Sequence, residues 1–388
     1  MKNKIAFFIA VFFIAACLTS TLSAGSVSPS AFYQAESTIV LDGGVQKNIY
    51  QNSLGQTMIQ YPNLDAYIDK ELAKSTDPND SMKIAEEIIK EVRGNDMLSV
   101  LPEEYILEAL TYKEVFQTVS YIKTNENGTT QYISKDAVMQ EIAEMKQHTV
   151  STLSELPSDF VNDRTSSDGY MRLVTTAVRV EDPPTCYDDR NHYYLISVYS
   201  EWLIRPTYTY EDVLALAYGT AIYDDAYGVY AYLSQSGTCT VCGKTTSEYY
   251  EEIYRNDTPD YNNPEAEDYL SIDFPGGSGV SCYVNFTQYT GVCAHDGPIN
   301  HSPTDQMVSY LQTRVYSQSW DFEVRSGYSH KWTGIGSISV SFSTGGVSIG
   351  FSCVSFTTDY FGTPLTVTYL SSINPAFPSP FSKTKEYI

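Results

Sequence analysis

Hydrophobic and polar positions change their spacing about halfway along the 388-residue chain. Between residues 60 and 160, apolar residues recur every three or four positions, which is typical of helices with one buried face. Asn63 can cap the first of these helices, and Gly94 can end the second. The pattern predicts helices that begin near Leu64, Asn79 or Asp80, Pro102 and Lys135, with a small hairpin at 115–134. We therefore expect a mainly helical module over residues 60–160.

From residue 170 onward, apolar positions alternate with polar ones, the pattern of antiparallel strands with one wet face. Strands are predicted at 172–180, 192–204 and 321–332. Many of the 33 tyrosines lie in this half and suit half-buried strands, because a phenol combines an apolar ring with a polar tip. The predicted fold class is α+β: a mainly helical N-terminal module, followed over residues 170–388 by a larger, sandwich-like antiparallel β-domain.

Segment 336–353 has the most regular alternation in the chain. A two-residue turn at Thr344 and Gly345 would pair Val340 with Ile349 and place every apolar side chain of the hairpin on one face. The other face contains only small or polar residues. This pattern favours a hairpin packed on a core with its serine face in water. It also fits a hairpin that enters a bilayer, as in pore-forming proteins, because membrane strands need about 9 to 11 alternating residues.

The N-terminus has the features of a secretory signal over residues 1–24. Lys2 and Lys4 precede a short apolar run, which is followed by small polar residues. Two cleavage sites fit the sequence: one before Cys17, which would then carry a lipid anchor as in bacterial lipoproteins, and one after Ala24. Residues 25–59 are predicted to be a tether and linker. We therefore expect an extracellular protein, either secreted or tethered to the membrane by lipid at Cys17.

Six cysteines follow the signal, and an even number in an exported chain predicts up to three disulfides of unknown pairing. Cys239 and Cys242 also have the spacing of a redox pair or of half a zinc site, which Cys282, Cys293, His295 or His301 could complete. Disulfides are preferred because of the export signal. The predicted disulfide residues are Cys186, Cys239, Cys242, Cys282, Cys293 and Cys353.

The charge balance excludes one class of partner. The chain has 47 acidic and 24 basic residues, a formal net charge of −23. Such a field repels phosphate, which argues against nucleic acid and anionic lipid.

His330 alternates with apolar residues and is predicted to be a core histidine, and the acidic loop 257–268 lacks the glycine of a calcium-binding loop. We predict no catalytic residues, no resident metal and no cofactor.

These features predict a non-enzymatic binding or cell-surface protein whose partner is an unknown extracellular polymer or protein. A membrane would be contacted only through the lipid anchor. The alternative prediction is a membrane-active protein that uses the hairpin at 336–353, and a third is a zinc hydrolase with its site around His295 and His301.

Several short motifs follow one another along the chain. The run Tyr199-Ser-Glu-Trp202-Leu-Ile-Arg-Pro206 is followed by Asp212-Val-Leu and later by Tyr328-Ser-His330-Lys331, ahead of a Ser/Gly-rich alternating end. This order, over about residues 100–370, resembles uncharacterised exported proteins of Gram-positive bacteria. The resemblance implies export and assigns no activity or site residue.

Overall fold

Strands from both halves of the chain form one large antiparallel sheet in the computed structural model. The described residues all belong to the compact unit Ala31–Ile388. The structure describes residues 33–368 with gaps at 75–82, 85, 89, 91–113, 125–128, 153–168, 181–191, 205, 207–210, 226, 240–241, 256–257, 262–265, 274–277, 288, 291–292, 295–297, 300–303, 320, 332–336, 344–346 and 354–356.

Helix α1 spans Leu64–Leu72 and helix α2 spans Lys135–Thr152, and short 3₁₀ turns lie at Asp42–Gly44 and Ala266–Asp268. The strands are β1 (Gln34–Val40), β2 (Gln46–Gln51), β3 (Thr57–Gln60), β4 (Glu114–Thr124), β5 (Thr130–Ile133), β6 (Tyr170–Arg179), β7 (His192–Ile204), β8 (Glu211–Ala217), β9 (Ile222–Tyr223), β10 (Val229–Thr238), β11 (Thr245–Arg255), β12 (Thr258–Tyr261), β13 (Leu270–Asp273), β14 (Gly279–Asn285), β15 (Cys293–Ala294), β16 (Pro298–Ile299), β17 (Thr304–Ser317), β18 (Asp321–Lys331), β19 (Ile338–Phe342), β20 (Ile349–Cys353), β21 (Thr357–Phe361) and β22 (Leu365–Thr368).

The strands form two main sheets. The large sheet has the order β1-β2-β3-β4-β6-β7-β17-β10-β11-β12, with β5 paired to β4 and β9 paired to β17. The second sheet has the order β13-β14-β8-β18-β21, and β22 pairs with β18. The strand pairs of both sheets are antiparallel.

The two sheets pack face to face, and their inner side chains form the main hydrophobic core. Ile196 and Val198 of β7 belong to this core together with Leu214 and Leu216 of β8, and all four are fully buried. Burial of an aliphatic side chain of this size contributes about 1.5–3 kcal/mol to folding. The inner faces therefore stabilise the sandwich.

The expected α+β class is wrong, because the N-terminal region is not a separate helical module. β4 pairs with β3 on one side and with β6 on the other, so it is an interior strand of the large sheet. The apolar stripe of α1 packs on the outer face of that sheet, where Leu64 and Ile68 share a cluster with Val178 and Leu195. The helix thus buries its stripe against strands rather than against other helices.

Residues 34–59, which belong to the expected tether and linker 25–59, form β1, β2 and all of β3 except its last residue. Their sequences are rich in polar residues such as Gln, so few apolar positions indicate strands there. Every residue of β1 is exposed. Met58 of β3 nonetheless pairs with Phe116 of β4, and both side chains are fully buried. Cross-strand pairing, rather than local propensity, explains these strands.

Several predicted elements are confirmed. β7 has the predicted bounds, and α1 and α2 begin at the predicted residues. β4 and β5 form the predicted small hairpin, in which Lys123 pairs with Gln131. The signal sequence, Cys17 and the helix expected from Pro102 lie outside the described residues.

Tyrosines from three neighbouring strands stack on the outer face of the large sheet. Ring centroids lie 5.2 Å apart for Tyr232 and Tyr310 and 5.6 Å apart for Tyr232 and Tyr249. These separations are close to the distance of about 4.8 Å between paired strands, so the rings stack as cross-strand neighbours. The stack removes ring surface from water, and Tyr232 is only 2% exposed.

Candidate functional site

Strand β8 is apolar on both faces, although one face of the second sheet points away from the main core. Leu214 and Leu216 face the core, whereas Val213, Ala215 and Ala217 belong to a separate outer cluster. All five side chains are at most 1% exposed. A continuous apolar run of this kind is typical of a strand covered on both sides. The outer face of β8 is therefore covered and does not contact water.

Small side chains make the outer face around β8 a shallow trough. Gly279 of β14 pairs with Ala217, and Gly327 of β18 pairs with Ala215. We call Val213, Ala215, Ala217, Gly279 and Gly327 the seat. Because none of these side chains is larger than that of valine, larger side chains from another element can enter the trough.

The hairpin formed by β19 and β20 covers the seat. Within the described sheets, its strands pair only with each other. Ile338, Val340 and Ile349 are at most 8% exposed and share a hydrophobic cluster with the seat. The exposed positions of the hairpin are Ser337, Ser339, Ser341, Gly350 and Ser352. The apolar face thus contacts the seat, and the polar face contacts water.

The predicted hairpin is confirmed, but its register differs by two residues. Phe342 pairs with Ile349, and Val340 pairs with Phe351, so each partner lies two positions beyond the predicted one. A shift of two preserves which side chains share a face, because side-chain direction alternates with a period of two. The alternation therefore predicted the faces correctly, whereas the register expected from a two-residue turn is wrong by two residues.

The tip of the hairpin is longer than predicted and packs against Gly219. The Ser343 N–H donates to the Ser348 carbonyl at 3.2 Å, so the loop is longer than two residues. Val347 is then outside the ladder, and its Cγ2 would lie 2.6 Å from a Cβ at Gly219. Gly219 has a φ of +56°, a left-handed conformation that glycine adopts without strain.

Two seat glycines face aromatic rings of the hairpin. A Cβ at Gly279 would lie 2.4 Å from Cδ1 of Phe342, and one at Gly327 would lie 3.0 Å from Cε2 of Phe351. Interiors are close-packed, so these rings occupy the space that any larger residue would need. The glycines therefore determine where the hairpin fits.

One side-chain hydrogen bond joins the open end of the hairpin to the second sheet. The Tyr283 hydroxyl of β14 donates to the Ile338 carbonyl at 3.0 Å. Burial raises the pKa of Tyr283, and the negative charges of Asp273 and Glu211 raise it further. The phenol therefore keeps the proton that it donates.

A cleft of about 310 Å³ opens beside this hydrogen bond. Its walls include Glu211, Glu267 and Asp268, together with Tyr283 and the exposed hairpin residue Ser337. The described residues that line it include no lysine or arginine, so its potential is negative. The cleft thus brings solvent next to the open end of the hairpin.

On the inner face of β8, Asp212 accepts hydrogen bonds from the neighbouring strand β18 of the same sheet. Its carboxylate binds the Tyr328 hydroxyl at 2.6 Å, a ring nitrogen of His330 at 2.8 Å and the Lys331 backbone N–H at 3.1 Å. Burial and the charge of Asp212 raise the pKa of Tyr328 well above its ordinary value. His330 is 2% exposed, so the prediction of a hydrogen-bonded core histidine is confirmed. Buried polar groups that satisfy one another in this way stabilise a core.

The described cysteines lie on several elements. Cys239 is buried just after β10, and the N–H of Cys242 donates to its Sγ at 3.5 Å. Cys282 of β14 is buried in the main core, whereas Cys353 lies at the end of β20. The disulfide pairing stays a prediction, because Cys186 lies outside the described residues.

The zinc alternative is likewise open, since His295 and His301 also lie outside the described residues. Within the described part of the chain, no group of three His, Cys, Asp or Glu side chains is placed to hold a metal ion. Among the helices that the structure describes, none combines the length and the hydropathy needed to cross a bilayer.

The seat was not predicted from the sequence, although a signal for it exists. Residues 213–217 are continuously apolar instead of alternating, which indicates a strand with two covered faces. Tyr283 has no comparable signal, because its partner Ile338 is 55 positions away.

Comparison with known proteins shows no family for this chain. No family model matches the sequence, and no curated protein matches it. Among solved structures, Clostridium perfringens delta-toxin is 8% identical, with 66% of this chain and 91% of that chain covered and a TM-score of 0.23. A chain described as a pore forming protein has 8% identity, coverages of 66% and 93% and a TM-score of 0.23. The membrane-inserted form of the Clostridium perfringens NetB toxin has 11% identity, coverages of 52% and 92% and a TM-score of 0.21. Similarity this low defines neither the fold nor the function of this chain.

Proposed function

We propose that the protein acts on membranes by releasing the hairpin at 338–353 from the seat and inserting it into a bilayer. The observation that carries this proposal is how the hairpin is attached. Its strands pair only with each other within the described sheets, and side-chain packing and the Tyr283 hydrogen bond hold it on the body. It can therefore leave without breaking a ladder of either main sheet. Export and recognition of an extracellular polymer or protein remain predictions from the sequence.

The two faces of the hairpin suit the two environments of an inserted strand. Ile338, Val340 and Phe342 would face lipid, and the serines between them would face water. No charged residue lies between Lys331 and Asp359, so each arm has room for the roughly 9 to 11 residues that a spanning strand needs. Insertion would therefore bring no charge into the hydrocarbon.

The small side chains of the seat also favour release. Ala215, Ala217 and the two seat glycines have little side-chain surface to expose, whereas the hairpin takes the larger rings of Phe342 and Phe351 with it. Apolar burial contributes about 25 cal/mol per Å². Transfer of the hairpin to lipid therefore keeps the larger apolar surfaces buried and exposes mainly the smaller ones.

A matched pair of substitutions tests the proposal. Val340→Asp places a charge on the apolar face, and Ser339→Asp places the same charge on the neighbouring polar position. With zwitterionic liposomes that contain a self-quenched dye, we expect release by the wild type and by Ser339→Asp at rates within about twofold. Release by Val340→Asp should be at least about tenfold slower, because a charge on the lipid face opposes insertion.

Thermal unfolding shows whether both variants fold, since Val340 is only 8% exposed in the folded protein. If Val340→Asp does not fold, the nearly isosteric Val340→Thr replaces it, with the same expected direction. No release by the wild type, or an equal loss of release in the variants at 339 and 340, would contradict the proposal.

A further inference from the structure

We infer that Tyr283 is a latch that sets how readily the hairpin leaves the seat. Tyr283 acts through the hydrogen bond that its hydroxyl donates to the Ile338 carbonyl, which is 3.0 Å long. The inference rests on the proposed function only for its consequence at membranes, because opening of the hairpin can be measured on the protein alone.

The latch lies where the first hairpin strand is held most firmly. Along β19, Ile338 is fully buried and Val340 is 8% exposed, whereas Phe342 near the tip is only half-buried. Lifting this strand from its tip therefore costs less apolar burial than lifting it from its open end. The Tyr283 hydrogen bond is at the open end and would break last.

The surroundings of Tyr283 preserve its hydroxyl as a hydrogen-bond donor and also give water access to the hydrogen bond. The Tyr283 phenol is protonated at neutral pH, and burial moves its pKa further up from the ordinary value of 10.0, so the hydroxyl remains a donor. Tyr283 and Ser337 both line the 310 Å³ cleft, so water has access to the neighbourhood of the bond. A hydrogen bond that water can replace breaks more readily than one sealed in a core.

Hydrogen–deuterium exchange of the protein without membranes tests the latch. Tyr283→Phe keeps the ring and removes the hydroxyl. A net hydrogen bond of this kind shifts an equilibrium about fivefold. Because an isolated two-stranded hairpin is only marginally stable in water, release from the seat also exposes the amides of its ladder, and amides at 338–342 and 349–353 should exchange about fivefold faster. Exchange in β7 should not change, which separates a latch from a general loss of stability.

Tyr33→Phe is the matched control. The Tyr33 hydroxyl donates to the Thr366 carbonyl of β22 at 2.8 Å, so the same substitution removes the same kind of bond from a strand outside the hairpin. We expect this variant to leave hairpin exchange unchanged. The inference is wrong if the hairpin amides of Tyr283→Phe exchange at the wild-type rate, or if amide exchange in β7 increases by the same factor.

Dye release distinguishes failure of the latch from failure of the proposed function. Faster hairpin exchange together with faster release by Tyr283→Phe supports both. Faster exchange with no release by any variant supports the latch and overturns the membrane function. Unchanged exchange with release by the wild type overturns the latch alone.

Discussion

Asp359 links the stability of the second sheet to pH. Its carboxylate accepts a hydrogen bond from the Ser329 hydroxyl at 2.6 Å, on the neighbouring strand β18. Burial nevertheless raises the pKa of Asp359 above its ordinary value of 3.8, against the opposing effect of hydrogen bonds from Ser329 and Thr357. The charged form therefore costs folding free energy at neutral pH. As the pH falls through the raised pKa, the folded state takes up the proton first, and this cost disappears.

Asp359→Asn should therefore raise the unfolding midpoint at pH 7, because the amide carries no charge and can still accept the Ser329 hydrogen bond. Acidification should shrink the difference between variant and wild type. Thermal unfolding at a series of pH values measures both. Burial also raises the pKa of Glu114 and of Glu323, and both residues are present in the wild type and in the variant. Only the difference in unfolding midpoint between these two proteins therefore reports on Asp359. A difference that grows on acidification would refute this assignment.

At the scale of elements, the hairpin on its seat shows what alternation can and cannot predict. Alternation identified the two faces, because it is a local property of neighbouring residues. The register was missed by two residues, because the loop is longer than the two-residue turn that the sequence suggested, and Val347 in this loop packs against Gly219, which is far away in the sequence. The periodicity of α1 was likewise sufficient to predict the helix and insufficient to identify the sheet that it covers.

Substitution of a seat glycine by a larger residue should displace the hairpin from the seat. Gly279→Ala forces the Phe342 ring to move, and we expect it to destabilise the protein by about 1–3 kcal/mol. Gly350→Ala is the control, because its Cβ meets mainly the Ser341 Oγ, at 2.8 Å, and that side chain can rotate. The control should change stability by no more than about 0.5 kcal/mol. Urea unfolding measures both, and equal midpoints would show that the seat does not depend on Gly279.

At the scale of the whole molecule, the N-terminal strands complete the large sheet. β3 covers the edge of β4, and Met58 and Phe116 are both fully buried in the main core. Removal of β1 to β3 would therefore expose an unpaired edge and part of the core.

A chain that begins at Tyr61 should accumulate in the insoluble fraction and lack the near-ultraviolet circular dichroism of a packed core. A chain that begins at Ala31, the first residue of the compact unit, should fold. Expression of both and comparison of their soluble fractions tests this expectation. A soluble, cooperatively unfolding chain from Tyr61 would show that residues 34–60 are dispensable, as a linker would be.

The sequence by itself determined the elements with a strong local period: β7, α1, α2 and the two faces of the hairpin. It also determined the net negative charge. A local period depends only on neighbouring residues, and a net charge is a sum over the residues, so neither requires knowledge of the fold. Only the tertiary structure decided that β1 to β4 join the large sheet, that the seat lies under the hairpin and that Tyr283 reaches Ile338. These features depend on contacts between residues far apart in the chain, and such contacts leave no periodic signal in the sequence.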